Sequence, residues 1–484
     1  MNLSRAKYKL RITDIIYISL FLLGMSFLSY FYPAVKTAGF FGFGLFCLVL
    51  GLWKREYALY LVFLELCLGS FGYLLTLSAG GLNLPIRMLF FLIIMALWAY
   101  DLISSKFKKL PRSNMVFSLG IFFIVWLFGI LQGYLRGHNP ANIFFDANSY
   151  LYLLLLLPAL TYIDTKEKTK ELIKVVLAGG AVLASFTFVL FLIFIKSQNL
   201  GFLEILYKWV RDFRIGELTS LKNGAYRIFI QSQIYLLAGF LLLAIKYLYG
   251  KIKFGRFVVL TALFSGAIYI SLSRSLWVGL IAGILVLFGL LIYTKYKTPP
   301  LLRGGMRGLG RKILTVILAG VLGVLIVASF IPKDASMLGN RFKIGESALS
   351  TRVEQLKPLI PAIKANLIFG YGFGKTLTFK SFDPRVTTIL KTGEYTTYAF
   401  EWGYLDIVLK IGVLGLLIYL YFIWTIVWAL FKKLKTDWRC MWALSILAAL
   451  LATHIFTPYL NHPLGIGILI LGGIVANPKR VDNK

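Results

Sequence analysis

The sequence predicts an all-α polytopic membrane protein with about twelve to fourteen transmembrane helices and one large, partly helical extracytoplasmic loop. Three observations carry that prediction. Hydrophobic residues make up 59% of the 484 residues and charged residues 15%, far from the balance of a soluble globular chain. The apolar residues fall in runs of about 17–25, the length that crosses the hydrocarbon layer as a helix. The basic residues stand between the runs rather than gathered on a polar face, so the net charge of +32 reflects membrane topology and argues against a nucleic acid partner. Cys47, Cys67 and Cys440 sit in or beside apolar runs without Cys-x-x-Cys spacing and read as small apolar residues, neither a metal set nor a disulfide framework.

Taken in order, spans are expected near 15–35, 38–53, 57–78, 87–103, 115–134, 148–163, 171–195, 228–248, 257–273, 276–293, 313–331, 403–430, 440–458 and 463–477. Two short pairs among them allow re-entrant segments instead. Arg5, Lys7, Lys9 and Arg11 precede the first run without a small-residue cleavage pattern, which reads as the flank of an uncleaved span. The clusters Lys54/Arg55, Lys106–Arg112, Lys166–Lys170, Lys251–Arg256, Lys295–Lys312, Lys432–Lys435 and Lys479/Arg480 share that alternate side. The positive-inside rule makes it cytoplasmic, with both termini.

Three features then face outward: a loop at 196–227, the Ser273-Arg274-Ser275 turn, and the loop 332–402. Both long loops are basic, which the rule does not govern, so their cations need another reason. Lys295–Lys312, with its glycines and prolines, reads as a flexible cytoplasmic loop. The chain divides into N-terminal helices at 1–256, a core at 257–430 that includes the loop 332–402, and C-terminal helices at 431–484.

The outer loops hold the candidate chemistry. Arg274, flanked by apolar residues at the rim of two spans, is costly there unless it is paired or lines an aqueous cavity; the alternative is an arginine snorkelling to headgroups. Thr351-x-x-Glu354 fits a capping box, which makes Arg352 the first residue of a helix, where an anion would meet free backbone N–H groups. The alternative is an ion pair with Glu346 or Glu354. Pro358 and Pro361 are expected to break or kink that helix.

Glu401, where the loop re-enters the membrane before Trp402-Gly403-Tyr404-Leu405, is expected to lose hydration and serve as a general base, or else to pair with a loop lysine. Arg227 is expected to open a span as a headgroup anchor or a further phosphate ligand. Phe369, Tyr371, Phe373, Tyr395, Tyr398 and Phe400 offer flat faces for pyranose rings, or else pack the loop on itself. Glu65, inside a span, is assigned a structural partner such as Arg87. His138, His454 and His462 are too scattered for a metal site, and His462 reads as a turn residue. Gly370-x-Gly372-x-Gly374 lacks the strand and helix of a dinucleotide fingerprint.

With these residues in hand, the stretch 257–430 resembles the O-antigen ligase and O-antigen polymerase superfamily of multi-span, GT-C type glycosyltransferases. The resemblance rests on the order Ser273-Arg274-Ser275-Leu276-Trp277, one further span, then Arg352 ahead of Asn366-Leu367-Ile368-Phe369-Gly370-Tyr371-Gly372-Phe373-Gly374, closing with Tyr404 to Gly415. It implies that Arg274 and Arg352 hold the diphosphate of an undecaprenyl-linked glycan donor; Arg227 by its position is a candidate third ligand, and with arginines supplying the positive charge no metal or other cofactor is expected.

In ligases of the superfamily a histidine stands where this chain has Glu401. The resemblance therefore implies a polymerase of surface polysaccharide, or a ligase with a glycan, lipid or protein acceptor other than a lipopolysaccharide core. Tyr371, Tyr395 and Tyr398 are the candidate sugar contacts. Membrane lipid and polysaccharide export or chain-length proteins are the implied partners, and the cytoplasmic membrane is the implied location. A lipid-linked oligosaccharide flippase is the rival of another class; it would place charges at the bilayer midplane.

Overall fold

A computed structural model describes residues 10–79, 82–104, 113–197, 199–221, 224–295, 305–331, 347–382, 386–387 and 392–477. Glu346, much of the 295–312 loop and the outermost basic residues at both termini lie outside them.

The N-terminal region contains α1 (Ile12–Phe31), α2 (Pro33–Trp53), α3 (Arg55–Leu68), the hairpin β1 (Thr76–Ala79) with β2 (Leu82–Pro85), α4 (Ile86–Ile103) and α5 (Asn114–Leu135). Then come α6 (Pro140–Ala147), a 3-10 stretch, α7 (Leu156–Tyr162), α8 (Lys166–Lys196), α9 (Leu200–Asp212), the hairpin β3 (Gly216–Ser220) with β4 (Tyr226–Ile230), and α10 (Ile234–Leu248). The remainder is α11 (Phe254–Ser271), α12 (Arg274–Lys295), α13 (Gly305–Phe330), α14 (Ser347–Ala365), the hairpin β5 (Leu377–Lys380) with β6 (Glu394–Thr397), α15 (Gly403–Lys432), α16 (Trp438–His454) and α17 (Pro463–Ala476). The three hairpins are separate antiparallel pairs, with Thr76 opposite Pro85, Gly216 opposite Ile230 and Leu377 opposite Thr397.

Among the described residues, 11 segments are long and apolar enough to cross a membrane. The spans expected at 57–78, 440–458 and 463–477 are corrected to α3 of 14 residues, α16 of 17 and α17 of 14. A 14-residue helix rises about 21 Å, short of the roughly 30 Å of hydrocarbon. From Ala58 to Leu68 in α3 and from Leu464 to Ala476 in α17 every residue is buried. A helix apolar all round belongs to the protein interior as readily as to lipid, and composition does not separate the two.

Cross-links between helix ends sort the connections into two groups. At one end, Lys174 Nζ donates to the Leu10 carbonyl at 2.7 Å, Tyr60 OH to Lys168 O at 2.8 Å, and Lys312 Nζ to Leu248 O at 3.0 Å. There too Arg439 donates to Lys166 O at 3.2 Å, Asn477 Nδ2 donates to Leu160 O at 3.0 Å, and Arg55 forks onto Asp101 at 2.7 and 2.9 Å. These are the basic connections that the sequence puts on one side. The candidate residues lie at the other end. Glu65 and Arg87 form the expected pair, Arg87 Nε and Nη2 donating to the carboxylate at 2.7 and 3.0 Å, both side chains buried.

Candidate functional site

The site end is built on a break in α15. Gly412 has φ 70° and ψ 179°, so the helix opens there. A strap of chain, 367–374, takes up the freed groups. Val413 N–H donates to Leu367 O at 2.8 Å and Leu414 N–H to Ile368 O at 3.2 Å. Tyr371 N–H donates to Leu409 O and Gly372 N–H to Lys410 O, both at 2.8 Å.

On its other side the strap meets α5. Phe373 N–H donates to Gly129 O at 3.0 Å, and Gln132 Nε2 to Gly370 O at 3.1 Å. Irregular backbone among spanning helices is tolerated only where protein satisfies it, and these bonds do so. Gly372 has φ +85°, and a Cβ there would collide with the Gly133 backbone. The Gly-x-Gly-x-Gly run is thus explained by close backbone packing.

Above the strap, α14 runs from Ser347 through Pro358 and Pro361 to Ala365. Two expectations are corrected here. The prolines do not end the helix: Leu359 and Ile363 pack with Phe379, Phe400, Val408 and Leu409, and this burial offsets part of a penalty of about 3 kcal/mol for each proline. Arg352 lies in the second turn rather than at the first position, because α14 already begins at Ser347; the Thr351 hydroxyl accepts Phe382 N–H at 2.9 Å.

Thr351, Gln355, Leu359 and Ile363, four residues apart, form one buried stripe. Arg352 beside it grips the segment entering α15. Its Nε donates to Glu401 Oε2, its carbonyl accepts Trp402 Nε1–H at 2.9 Å, and Gln355 Oε1 accepts Glu401 N–H at 3.2 Å. Glu401 therefore pairs with Arg352, not with a loop lysine. Its side chain is 47% exposed and that of Arg352 21%.

Arg274 begins α12 directly after a tight turn in which Leu272 takes φ 46°. Ser273 and Ser275 hydroxyls bond at 3.0 Å, and Thr457 Oγ1 donates to Ser275 at 2.9 Å. Next to Thr457, the Phe456 ring lies 5.7 Å from Trp402. A short run of contacts through 456–457 thus links the Arg274 turn to the segment carrying Glu401. Arg227 reaches the same turn, its Nε donating to Ser271 O at 2.9 Å. It also contacts Glu217 at 3.4 Å and covers Phe229 at 5.0 Å. It stands on β4 rather than at a helix start, a correction to the expected span near 228.

The aromatic candidates separate. Phe373 and Phe400 are buried, which makes them packing residues. Tyr371 carries Arg136 at 4.8 Å and Lys375 at 4.7 Å over its ring. Tyr395 is exposed and touches Phe379 edge-on at 5.9 Å, and Tyr398 is half-buried. His138 bonds Phe373 O at 2.8 Å, His454 Nδ1 accepts Leu460 N–H at 3.1 Å, and His462 caps α17 by accepting Leu464 N–H at 3.3 Å. Each is a structural tie, and the three cysteines are buried thiols.

Sequence reasoning missed a buried trio. Lys410 Nζ donates to Asp146 and, at 2.8 Å, to Asp406. Asp406 and Lys410, four apart in an apolar run, are a pattern that could have been flagged. Asp146 is 264 positions from Lys410, and no local signal joins them.

An apolar cavity of about 420 Å³ lies between α10, α11, α12 and α13. Tyr269 and Trp277 line it close to the Arg274 turn, and Leu248 and Ile313 line it toward the basic end.

A polytopic helical membrane protein with an arginine–glutamate pair on a partly helical loop is the class that fold and site define. Within it, residues 257–420 match the family described as O-antigen ligase. The matched residues coincide with the stretch that carries the sequence resemblance described above. No curated protein matches the chain.

Proposed function

We propose that the protein moves a glycan from an undecaprenyl diphosphate carrier to a sugar hydroxyl at the outer face of the cytoplasmic membrane, and that the reaction is polymerisation of a surface polysaccharide. The Arg352–Glu401 pair carries this reading: a half-exposed carboxylate and a guanidinium, inside the matched segment, joined through 456–457 to the Arg274 turn. The apolar cavity beside that turn suits a polyprenyl tail whose diphosphate is held at Arg274. Placing the basic end in the cytoplasm puts this site outside.

The leaving group is a lipid diphosphate, already a stable anion, so no acid is needed to protonate it. Arg274 and Arg352 neutralise charge growing on the bridging oxygen as the anomeric C–O bond breaks and its electron pair passes to the diphosphate. The diphosphate competes with Glu401 for Arg352, which frees the carboxylate to accept the proton of the attacking hydroxyl as the new glycosidic bond forms. Arginines supply the positive charge, so chelator is expected to leave the rate unchanged.

Transfer to a single lipid or protein acceptor is the second reading, favoured by the family description itself. Incubating purified protein with lipid-linked repeat units and analysing products by mass spectrometry separates the two. A ladder with release of undecaprenyl diphosphate supports polymerisation, one addition supports ligation, and lipid movement without cleavage would replace both with a flippase.

A further inference from the structure

Three charged side chains sit in the interior near the site, and their partners are unusual. Asp406 Oδ1 accepts Phe400 N–H at 3.2 Å, and its Oδ2 accepts Lys410 Nζ at 2.8 Å and Asn461 Nδ2 at 2.7 Å. Lys410 Nζ also donates to Asp146 Oδ1, whose other oxygen accepts Gly374 N–H at 2.9 Å. The side chains are 1%, 2% and 6% exposed for Asp406, Lys410 and Asp146.

Burying such a set is expensive, and well-packed apolar replacements are often no less stable, so stability alone does not account for it. Its two backbone clients are informative. Phe400 directly precedes Glu401, and Gly374 ends the strap that carries Tyr371. The network therefore bridges two walls of the candidate site, the segment of the proposed base Glu401 and the strap with Tyr371, a candidate contact for the acceptor sugar. A set of charges buried among spanning helices is a functional candidate by default.

We propose that Asp146, Lys410 and Asp406 are positioning residues for the transfer reaction, holding the Glu401 segment and the 370–374 strap in register so that base and acceptor wall stay at working distance. The proposal rests on the function proposed above for Glu401. None of the three side chains touches the substrates; they act through the backbone at Phe400 and Gly374.

The test uses full-length protein, comparing Asp146→Asn, Lys410→Met and the triple variant Asp146→Asn/Lys410→Met/Asp406→Asn. Misplacing a catalytic group by about 1 Å costs on the order of a hundredfold, so the single variants should lose about that much kcat with donor KM little changed. The triple variant, free of unpaired buried charge, should recover Tm yet stay slow. Recovery of both Tm and kcat would reduce the network to scaffold and overturn the proposal.

Hydrogen exchange gives a readout independent of turnover. Asp146→Asn should speed exchange at 398–402, across the network, as well as at 373–375. Exchange confined to 373–375 would also overturn it. If the wild-type protein transfers nothing, the proposed function fails on its own, and the exchange experiment still decides whether the two walls are coupled.

Discussion

Two of the arginine–glutamate pairs among the described residues differ sharply in their surroundings. Arg87 and Glu65 share two hydrogen bonds inside the N-terminal helices, with side chains 4% and 0% exposed. Arg352 and Glu401 meet on the outer loop with side chains 21% and 47% exposed. The first pair is closed on every side, so its charges can only satisfy each other. The second leaves half of a carboxylate open, so in the proposed reaction an arriving anion takes the guanidinium and releases the proposed base. Accessibility, rather than the ion pair itself, separates a strut from a site.

The comparison is most sharply broken by substitutions in each pair. Arg87→Met or Glu65→Gln strands a buried charge or polar group and should cost about 3–5 kcal/mol of stability, read as a large fall in Tm, with activity lost only as protein unfolds. Arg87→Met combined with Glu65→Leu should regain much of that loss. Arg352→Ala and Arg274→Ala should do the reverse, keeping Tm and losing about 2.7–4 kcal/mol of transition-state stabilisation, a hundredfold or more in rate. Glu401→Gln should be slow throughout about pH 5 to 9; normal activity across that range would remove Glu401 as the base.

Smaller effects sharpen the same contrast. Gly372→Ala forces a side chain into positive φ against the Gly133 backbone and should cost at least about 1–3 kcal/mol, with the strap loosening first in hydrogen exchange. Lys357→Gln removes an i,i+3 pair to Glu354 at 2.7 Å in which the lysine is 69% exposed; Tm should move by less than about 1 kcal/mol equivalent.

Much of the fold was legible because it is written locally. Spans such as α4, α5 and α8 follow from apolar runs alone, and the Arg87–Glu65 pair follows from two charges that have no cheaper partner in hydrocarbon. α3 and α17 are shorter than the spans read there because apolar sequence reports exclusion from water, not where a helix begins or ends. The start of α14 was misplaced because Thr351-x-x-Glu354 satisfies the pattern of a cap inside a helix that begins at Ser347, where the hydroxyl accepts Phe382 N–H from the chain just beyond β5. In the candidate site, Arg274, Arg352 and Glu401 stood out as charges at membrane edges. That Arg352 meets Glu401 across 49 positions, and Asp146 meets Lys410 across 264, depends on how the strap threads between α5 and α15.

The most direct measurement is the rate at which purified Arg352→Ala protein, shown to share the wild-type Tm, releases undecaprenyl diphosphate from lipid-linked repeat units. A fall of about a hundredfold or more is expected if the guanidinium stabilises the departing diphosphate. Release at the wild-type rate would show that the exposed pair is a second strut, and that the chemistry lies elsewhere.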